Sequence, residues 1–319
     1  MTAATRSKSK PTNKTKAVGP TPEEKLTQRL ISLLEKGVNP WRREWRGSRG
    51  GPHRNLITGK AYRGSNPVLL EMELALREGG VPLWLGFGQA KQRGWFPIKG
   101  SQAAYVLRPN PIRIEETDGD GKPVLNEQGE QVVRAWTAFK PVAIFNASDL
   151  QGDGLAEAIS KALGEVSDHP APERIAAADA VLTGWAVPVT HGGDMAFYSP
   201  TKDRIQLPEL KAFVNAEGYY ATWAHEQVHS TGHSSRLDRD LGGARGSERY
   251  AREELVAELG AFLVCSRLEI ASNTENHAAY LDAWLGVLKQ SPKALLRVLG
   301  DATKAANLLA PETYEDPEA

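Results

Sequence analysis

The 319 residues are 40% hydrophobic and 24% charged, a globular composition long enough for two domains with real cores. A single cysteine, Cys265, excludes an intramolecular disulfide; no apolar run reaches membrane-span length and the N-terminus lacks the apolar stretch of a secretory signal, so a cytoplasmic protein without membrane contact is expected. Net charge is zero but divided: residues 1–113 hold 21 Lys/Arg against 7 Glu and no Asp, leaving 18 basic and 32 acidic residues beyond, so the first half suits a polyanion and the second a different task.

Residues 1–20 carry five positive charges, no acid and little that is apolar, the composition of a disordered basic tail. Thr21-Pro22-Glu23-Glu24 is a capping box with proline at the first helical position; Leu26, Leu30, Ile31, Leu33 and Leu34 follow at helical spacing, and Gly37 ends the helix. Aromatics and cations then interleave: Trp41, Arg42, Arg43, Trp45 and Arg46, followed by Arg54, Lys60, Tyr62 and Arg63, with Lys91 and Arg93 further on. Unpaired bases stack on indole and phenol rings while cations track phosphates, which makes these residues candidates for binding single-stranded DNA. The competing reading of Trp41 and Trp45, at helical spacing, is core packing.

Asn66-Pro67 opens a second helix to about residue 77, stopped by Gly79-Gly80. Residues 81–95 read as a short extended piece, a turn around Gly86-Phe87-Gly88 and one helical turn. Residues 103–107 and 136–145 read as strands of an antiparallel sheet, with Pro109-Asn110-Pro111 breaking the first from 112–114. Residues 118–130 imitate a calcium loop, but Pro123 stands where a glycine is required and Gly129 where the last glutamate is, which leaves a hairpin insertion. The expected organisation is a first domain over 21–150, a linker over 151–170 able to form a short helix at 155–163, a second domain over 171–310, and a tail over 311–319.

In the second half, a helix is expected over 172–183, a strand over 185–189, and a hairpin from 195–198 and 204–207 around the turn 199–203. Asn215 can cap the next helix, which carries His225-Glu226-Gln227-Val228-His229-Ser230-Thr231-Gly232-His233. Ser247-Glu248 opens a further helix to about residue 270, and two more follow to Leu309. His53 and His169 read as surface or packing residues, and Cys265, among Phe262, Leu263 and Val264, as a buried inert thiol.

H-E-x-x-H on a helix puts His225 and His229 on one face a turn apart, which is metal-ligand geometry, with Glu226 placed to take a proton from the attacking water. Catalytic zinc wants a third protein ligand. His233 is near in sequence, but Gly232 ends the helix before it, and the longer motif with a third histidine fails because position 235 is Ser235. In Glu253-Glu254-Leu255-Val256-Ala257-Glu258, Glu254 and Glu258 share a helical face, so Glu254 is chosen as third ligand and Glu258 as the carboxylate that orients a ligand histidine; Glu253, with alanine at 257, is left to solvent. The chemistry is then amide hydrolysis with one zinc per chain, another divalent metal being the alternative, and with an extended peptide added to the edge of the 195–207 hairpin. Tyr219, Tyr220, Tyr250, His191 and His277 are the candidates for stabilising the oxyanion.

At these residues the chain resembles the ArdC antirestriction proteins, whose N-terminal domain is shared with TraC-type conjugation primases. The likeness rests on Asn39-Pro40-Trp41 with Trp45, on Thr58-Gly59-Lys60-Ala61-Tyr62-Arg63-Gly64-Ser65-Asn66, on Phe197-Tyr198-Ser199-Pro200, on residues 225–233 and on Tyr250-Ala251-Arg252-Glu253-Glu254-Leu255-Val256-Ala257-Glu258. It implies an α+β protein of two domains, an N-terminal single-stranded-DNA-binding domain with an antiparallel sheet and a C-terminal zincin-like metallopeptidase. Its expected partners are single-stranded DNA and a protein substrate or restriction-system component, and its task is to protect incoming plasmid DNA. The rival is a DNA-binding antirestriction protein whose metal is structural or vestigial. A primase accessory would need polymerase carboxylate motifs that the sequence lacks.

Overall fold

The computed structural model describes residues 20–37, 52–77, 79–120, 122–164, 171–244, 246–270 and 281–312. The first half runs α1 (Pro22–Glu35), β1 (Arg54–Asn55), α2 (Asn66–Ala75), β2 (Leu83–Leu85), α3 (Phe87–Gln92), β3 (Phe96–Pro97), β4 (Ala104–Glu115), β5 (Val133–Asn146), β6 (Leu150–Gln151) and α4 (Leu155–Gly164). The second half runs α5 (Ala171–Thr183), β7 (Val189–His191), β8 (Phe197–Ser199), β9 (Arg204–Leu207), α6 (Ala216–Thr231), α7 (Glu248–Arg267), α8 (Leu281–Gln290) and α9 (Pro292–Leu309). Among the described residues no helix is long and apolar enough to cross a membrane.

The first sheet has the order β1-β2-β5-β4 and is antiparallel except for the two-residue pairing of β1 with β2. The expected break at Pro109-Asn110-Pro111 does not occur: β4 pairs without interruption with β5, from Ala104 opposite Ile144 to Glu115 opposite Val133. β4 is the edge strand, and prolines two apart turn their nitrogens the same way, outward, where no ladder bond is lost. Past Leu107 the two strands leave the core as a ribbon, and bridges from Thr117 to Pro123 and from Leu125 to Gln131 close its tip as a hairpin.

Within the stretch 151–170, the short helix the sequence allows at 155–163 forms as α4 and packs on the first half. Leu155 on α4 packs with Leu83, Leu85, Ala90 and Trp95 in one apolar cluster. A second cluster joins Leu70, Leu74 and Trp84 to Ala104, Val106 and Ile144. His53 is a packing residue: 2% exposed, its Nδ1 accepts from the Trp84 indole at 3.1 Å and its Nε2 lies 2.9 Å from Glu71. His169 lies outside the described residues.

The capping box of α1 forms as read, with Thr21 N–H donating to Glu24 and Glu24 N–H to the Thr21 hydroxyl. Its apolar stripe, however, does not face the first sheet. Leu26, Leu30, Leu33 and Leu34 belong to the large core built from α6, α7, α8 and α9, so the halves share one interior. β3 and β6 pair as a small antiparallel sheet, and the three-stranded sheet of the second half, β7-β9-β8, lies beside α6, with β7 parallel and β8 antiparallel to β9. The strand expected over 185–189 starts only at Val189; Trp185 sits in a bend, its indole donating to Ser230 Oγ at 2.9 Å. The hairpin turn is pinned because Asp203 accepts from the Tyr198 hydroxyl and pairs with Arg236, in the loop after α6.

α6 and α7 cross closely at Gly260, where a Cβ would lie 2.8 Å from Cγ1 of Val228. Gly260→Ala is therefore expected to destabilise the fold by about 1–2 kcal/mol, because overpacking outweighs the helix-propensity gain of alanine. Chemical denaturation measures this, and Val228→Ala in the same chain should recover part of the loss. Stability at or above wild type would show that this contact does not set the helix spacing.

Candidate metal centre

Asn215 caps α6, its side chain accepting from Gly218 N–H at 2.8 Å, and the helix then presents His225 and His229 on the face toward α7. Their Nε2 atoms lie 3.1 Å apart. Glu254, from α7, places one carboxylate oxygen 3.7 Å from His225 Nε2 and the other 3.6 Å from His229 Nε2. Ligands of a tetrahedral zinc at bonds of 2.0–2.1 Å are spaced by ~3.4 Å; the two nitrogens meet that spacing, and each has its own Glu254 oxygen within a few tenths of an ångström of it, so a carboxylate turned toward both could complete the third position. Two imidazole nitrogens cannot face each other as bare lone pairs, so the contact holds either a proton on one ring or a cation between them. Among the described residues, His225, His229 and Glu254 form a group able to hold a metal, their donor atoms all within 4.8 Å of one another.

The outer ring nitrogens both face carboxylates. His229 Nδ1 meets Glu253 Oε1 at 3.3 Å, and His225 Nδ1 lies 3.3 Å from Glu258 Oε1 but outside hydrogen-bond geometry. Glu253 is thus not the solvated residue expected from the sequence. It is buried and held in a two-pronged pair with Arg239, Nη2 to Oε1 at 2.7 Å and Nε to Oε2 at 3.0 Å. Arg239 also donates to Val228 O and to the Thr231 hydroxyl at the end of α6, so one guanidinium fixes the helix terminus and the carboxylate behind His229. Gly232 admits it, since a Cβ there would meet Leu241 at 2.6 Å and Arg239 at 3.0 Å. Burial pushes the Glu253 carboxyl up, but His229 and Arg239 outweigh it and keep the group below its ordinary value.

Glu226 is buried on the same helix. Burial raises its carboxyl above the usual range, opposed by His225 and His229, raised further by Glu254 and lowered by the Tyr198 backbone N–H from β8. A carboxylate so placed can accept a proton and release it again. The Glu254 carboxyl is pushed up by burial yet pulled down to about 2 by His225, His229 and Tyr250. His225 behaves oppositely: burial pushes the imidazolium down, and Glu254, Glu258 and Glu226 more than reverse it, holding the ring well above its ordinary value. The surrounding carboxylates thus favour a proton on His225 in the metal-free protein, which an incoming cation must displace. Metal affinity should rise with pH through the neutral range, and calorimetry in two buffers of different ionisation enthalpy should find about one proton released per ion. Binding without proton release at neutral pH would contradict this reading.

A cleft of about 550 Å³ opens over these groups, lined among others by Met195, Phe197, Phe213, Leu241 and Tyr250. Tyr250 alone of the four described oxyanion candidates lines it; His191 bonds the Tyr219 hydroxyl at 2.9 Å, Tyr220 bonds Asp179, and His277 lies outside the described residues. His233 turns to Ser235, its Nδ1 2.8 Å from the hydroxyl. Cys265 is fully buried, and burial pushes its thiol up to about 12, which leaves it inert.

Of the residues proposed to meet DNA, Trp41, Arg42, Arg43, Trp45 and Arg46 lie outside the described residues. Lys60, Arg63, Lys91 and Arg93 are exposed, and Asn55, bonded to Gln89 at 2.9 Å, ties the Lys60 loop to α3. Tyr62 packs partly against the Trp84 cluster. Arg54 is the exception, its guanidinium turned inward to donate to Ala162 O on α4 at 2.7 Å, so its placement serves packing.

Residues 176–300 match the family described as zincin-like metallopeptidase, and residues 21–145 match the N-terminal domain of anti-restriction factor ArdC. The metal-free crystal structure of the antirestriction ArdC protein from plasmid R388 aligns with a TM-score of 0.63 at 31% identity, over 90% of this chain and 96% of that one. This chain belongs to the ArdC antirestriction family. The Mn(II)-bound crystal form of the R388 ArdC aligns with a TM-score of 0.62 at 29% identity over the same shares. An uncharacterized protein of Sinorhizobium fredii (strain NBRC 101917 / NGR234), y4eC, is 30% identical over 289 residues, 89% of this chain and 90% of the relative. DNA primase TraC of Escherichia coli is 34% identical over 291 residues, 88% of this chain; the ArdC-family chain spans 26% of that primase's length.

Proposed function

We propose that this chain is a divalent-metal-dependent peptidase, favouring zinc, joined to a domain that binds single-stranded DNA, and that it protects incoming plasmid DNA from restriction. The observation that carries the hydrolytic reading is the convergence of His225 Nε2, His229 Nε2 and the Glu254 carboxylate, with Glu226 beside them in one cleft. The nitrogen, nitrogen, oxygen donor set suits zinc, and the Mn(II) form of the R388 ArdC supports a divalent ion. A bound ion would polarise the scissile carbonyl and acidify the attacking water.

The chain's own residues supply the rest. Glu226 takes the proton of the attacking water and passes it to the leaving amine. Tyr250 stands at the cleft wall to meet the developing oxyanion, and Glu258 and Glu253 hold the two imidazoles in orientation. Among the described residues the outer edge of β8 has no strand partner in its sheet, so a substrate can extend along it with side chains against Phe197 and the 63%-exposed Met195. On the DNA side, the basic first half, the exposed Lys60, Arg63, Lys91 and Arg93 and the likeness to TraC support contact with single strands.

Glu226→Ala, scored for protection of transferred plasmid DNA with metal content measured in parallel, decides between this reading and a non-catalytic one. Lost protection with the metal retained supports hydrolysis. Full protection with the metal retained would refute it and leave a DNA-binding protein with a structural ion.

A further inference from the structure

Two features of the β4–β5 ribbon are unfavourable unless something binds it. Its register sets Arg108 opposite Lys140, Ile112 opposite Trp136 and Ile114 opposite Arg134, all on one face because side chains alternate along each strand. Like charges directly opposite destabilise a sheet. Among the described residues neither Arg108 nor Lys140 forms an ion pair, whereas Arg134 is paired with Glu116. Trp136, next along the same face, is 43% exposed, and it is the one exposed tryptophan among the described residues. An unneutralised cation pair and a half-exposed indole, separated by ~13 Å of strand, are satisfied together by a polymer that repeats flat apolar rings and anions along its length, a ring from one unit and anions from units further along.

We infer that this ribbon face binds single-stranded nucleic acid, with Trp136 stacking a base and Arg108 and Lys140 meeting phosphates. The assignment rests on the DNA-binding reading above and adds a surface separate from the Lys60, Arg63 and α3 residues. The tip bounds the site: beyond Glu116, which is paired with Arg134, Asp118, Asp120, Glu127 and Glu130 stand against Lys122, an acidic excess that repels a polyanion and confines the strand to the ribbon's base. Phe139, 62% exposed opposite Pro109 on the other face, lies outside the proposed surface.

The test is fluorescence anisotropy of a labelled short oligothymidine with the full chain at several salt concentrations. Trp136→Ala is expected to weaken binding about tenfold with the salt dependence unchanged. Arg108→Gln with Lys140→Gln should flatten the slope of log affinity against log salt by about 1.4, two phosphates' worth. Phe139→Ala should bind as wild type does, and unchanged thermal midpoints and metal content verify that each variant is folded. Wild-type affinity in both Trp136→Ala and the double variant would overturn the assignment while leaving DNA binding elsewhere intact. No binding by the wild-type chain at low salt would overturn both readings. Self-association lost in Trp136→Ala with DNA binding unaltered would give the face to a second copy and so also overturn the assignment.

Discussion

Replacing Glu226 by glutamine is expected to lower peptide-bond hydrolysis by about 10²–10⁴-fold, the contribution of a positioned general base. Glutamine keeps the shape and can still hydrogen-bond, so it leaves the neighbouring imidazoles in place while removing the proton acceptor. Metal affinity should therefore change little, because the donors that converge are His225, His229 and Glu254. A peptide library incubated with metal-loaded protein, with cleavage read by mass spectrometry, gives the rate. Equal losses of hydrolysis and of metal would show that Glu226 acts through the shell rather than on the water.

The second large effect is expected at a residue that need not touch substrate. Arg239 and Glu253 form a pair with both side chains under one-tenth exposed. Removing one partner of a buried pair strands the other charge, so Arg239→Ala should cost about 3–5 kcal/mol in stability. It also releases Glu253 from behind His229, and loss of such an orienting carboxylate weakens metal binding by about 10–100-fold. Arg239→Lys should recover little, since an ammonium cannot reproduce the two-pronged geometry. Arg239→Met with Glu253→Gln, which leaves no stranded charge, should recover much of the stability while metal affinity stays low. If the single and double changes were equally unstable, packing rather than charge would explain the site.

Local chemistry made the scaffold of this centre readable from the sequence. The Asn215 cap, the four-residue spacing of His225 and His229, the turn at residues 199–203 and the Ser247 start of α7 are all short-range signals, and each corresponds to a local feature of the fold. What could not be read was partnership across the chain. Helical periodicity places Glu253 and Glu254 on adjacent faces of α7 but does not say that Arg239 lies beneath the first, because Asp238 and Asp240 flank that arginine and offer closer carboxylates in sequence. In the same way, Pro109 and Pro111 argue for a break unless the strand is known to be an edge, and edge position is a tertiary fact. The stripe of α1 announced burial, yet only the assembled core shows that it is buried among helices of the other half. Trp136 read as an ordinary strand residue until the register placed it beyond the core.

One divalent ion is expected among two histidines of α6 and a glutamate of α7. Crystals of the metal-loaded protein, measured at the metal's absorption edge, test it most directly. One anomalous peak within bonding distance of His225 Nε2, His229 Nε2 and the Glu254 carboxylate is the expected result. A peak elsewhere, at His233 for instance, or no peak with these three side chains in place, would contradict the account.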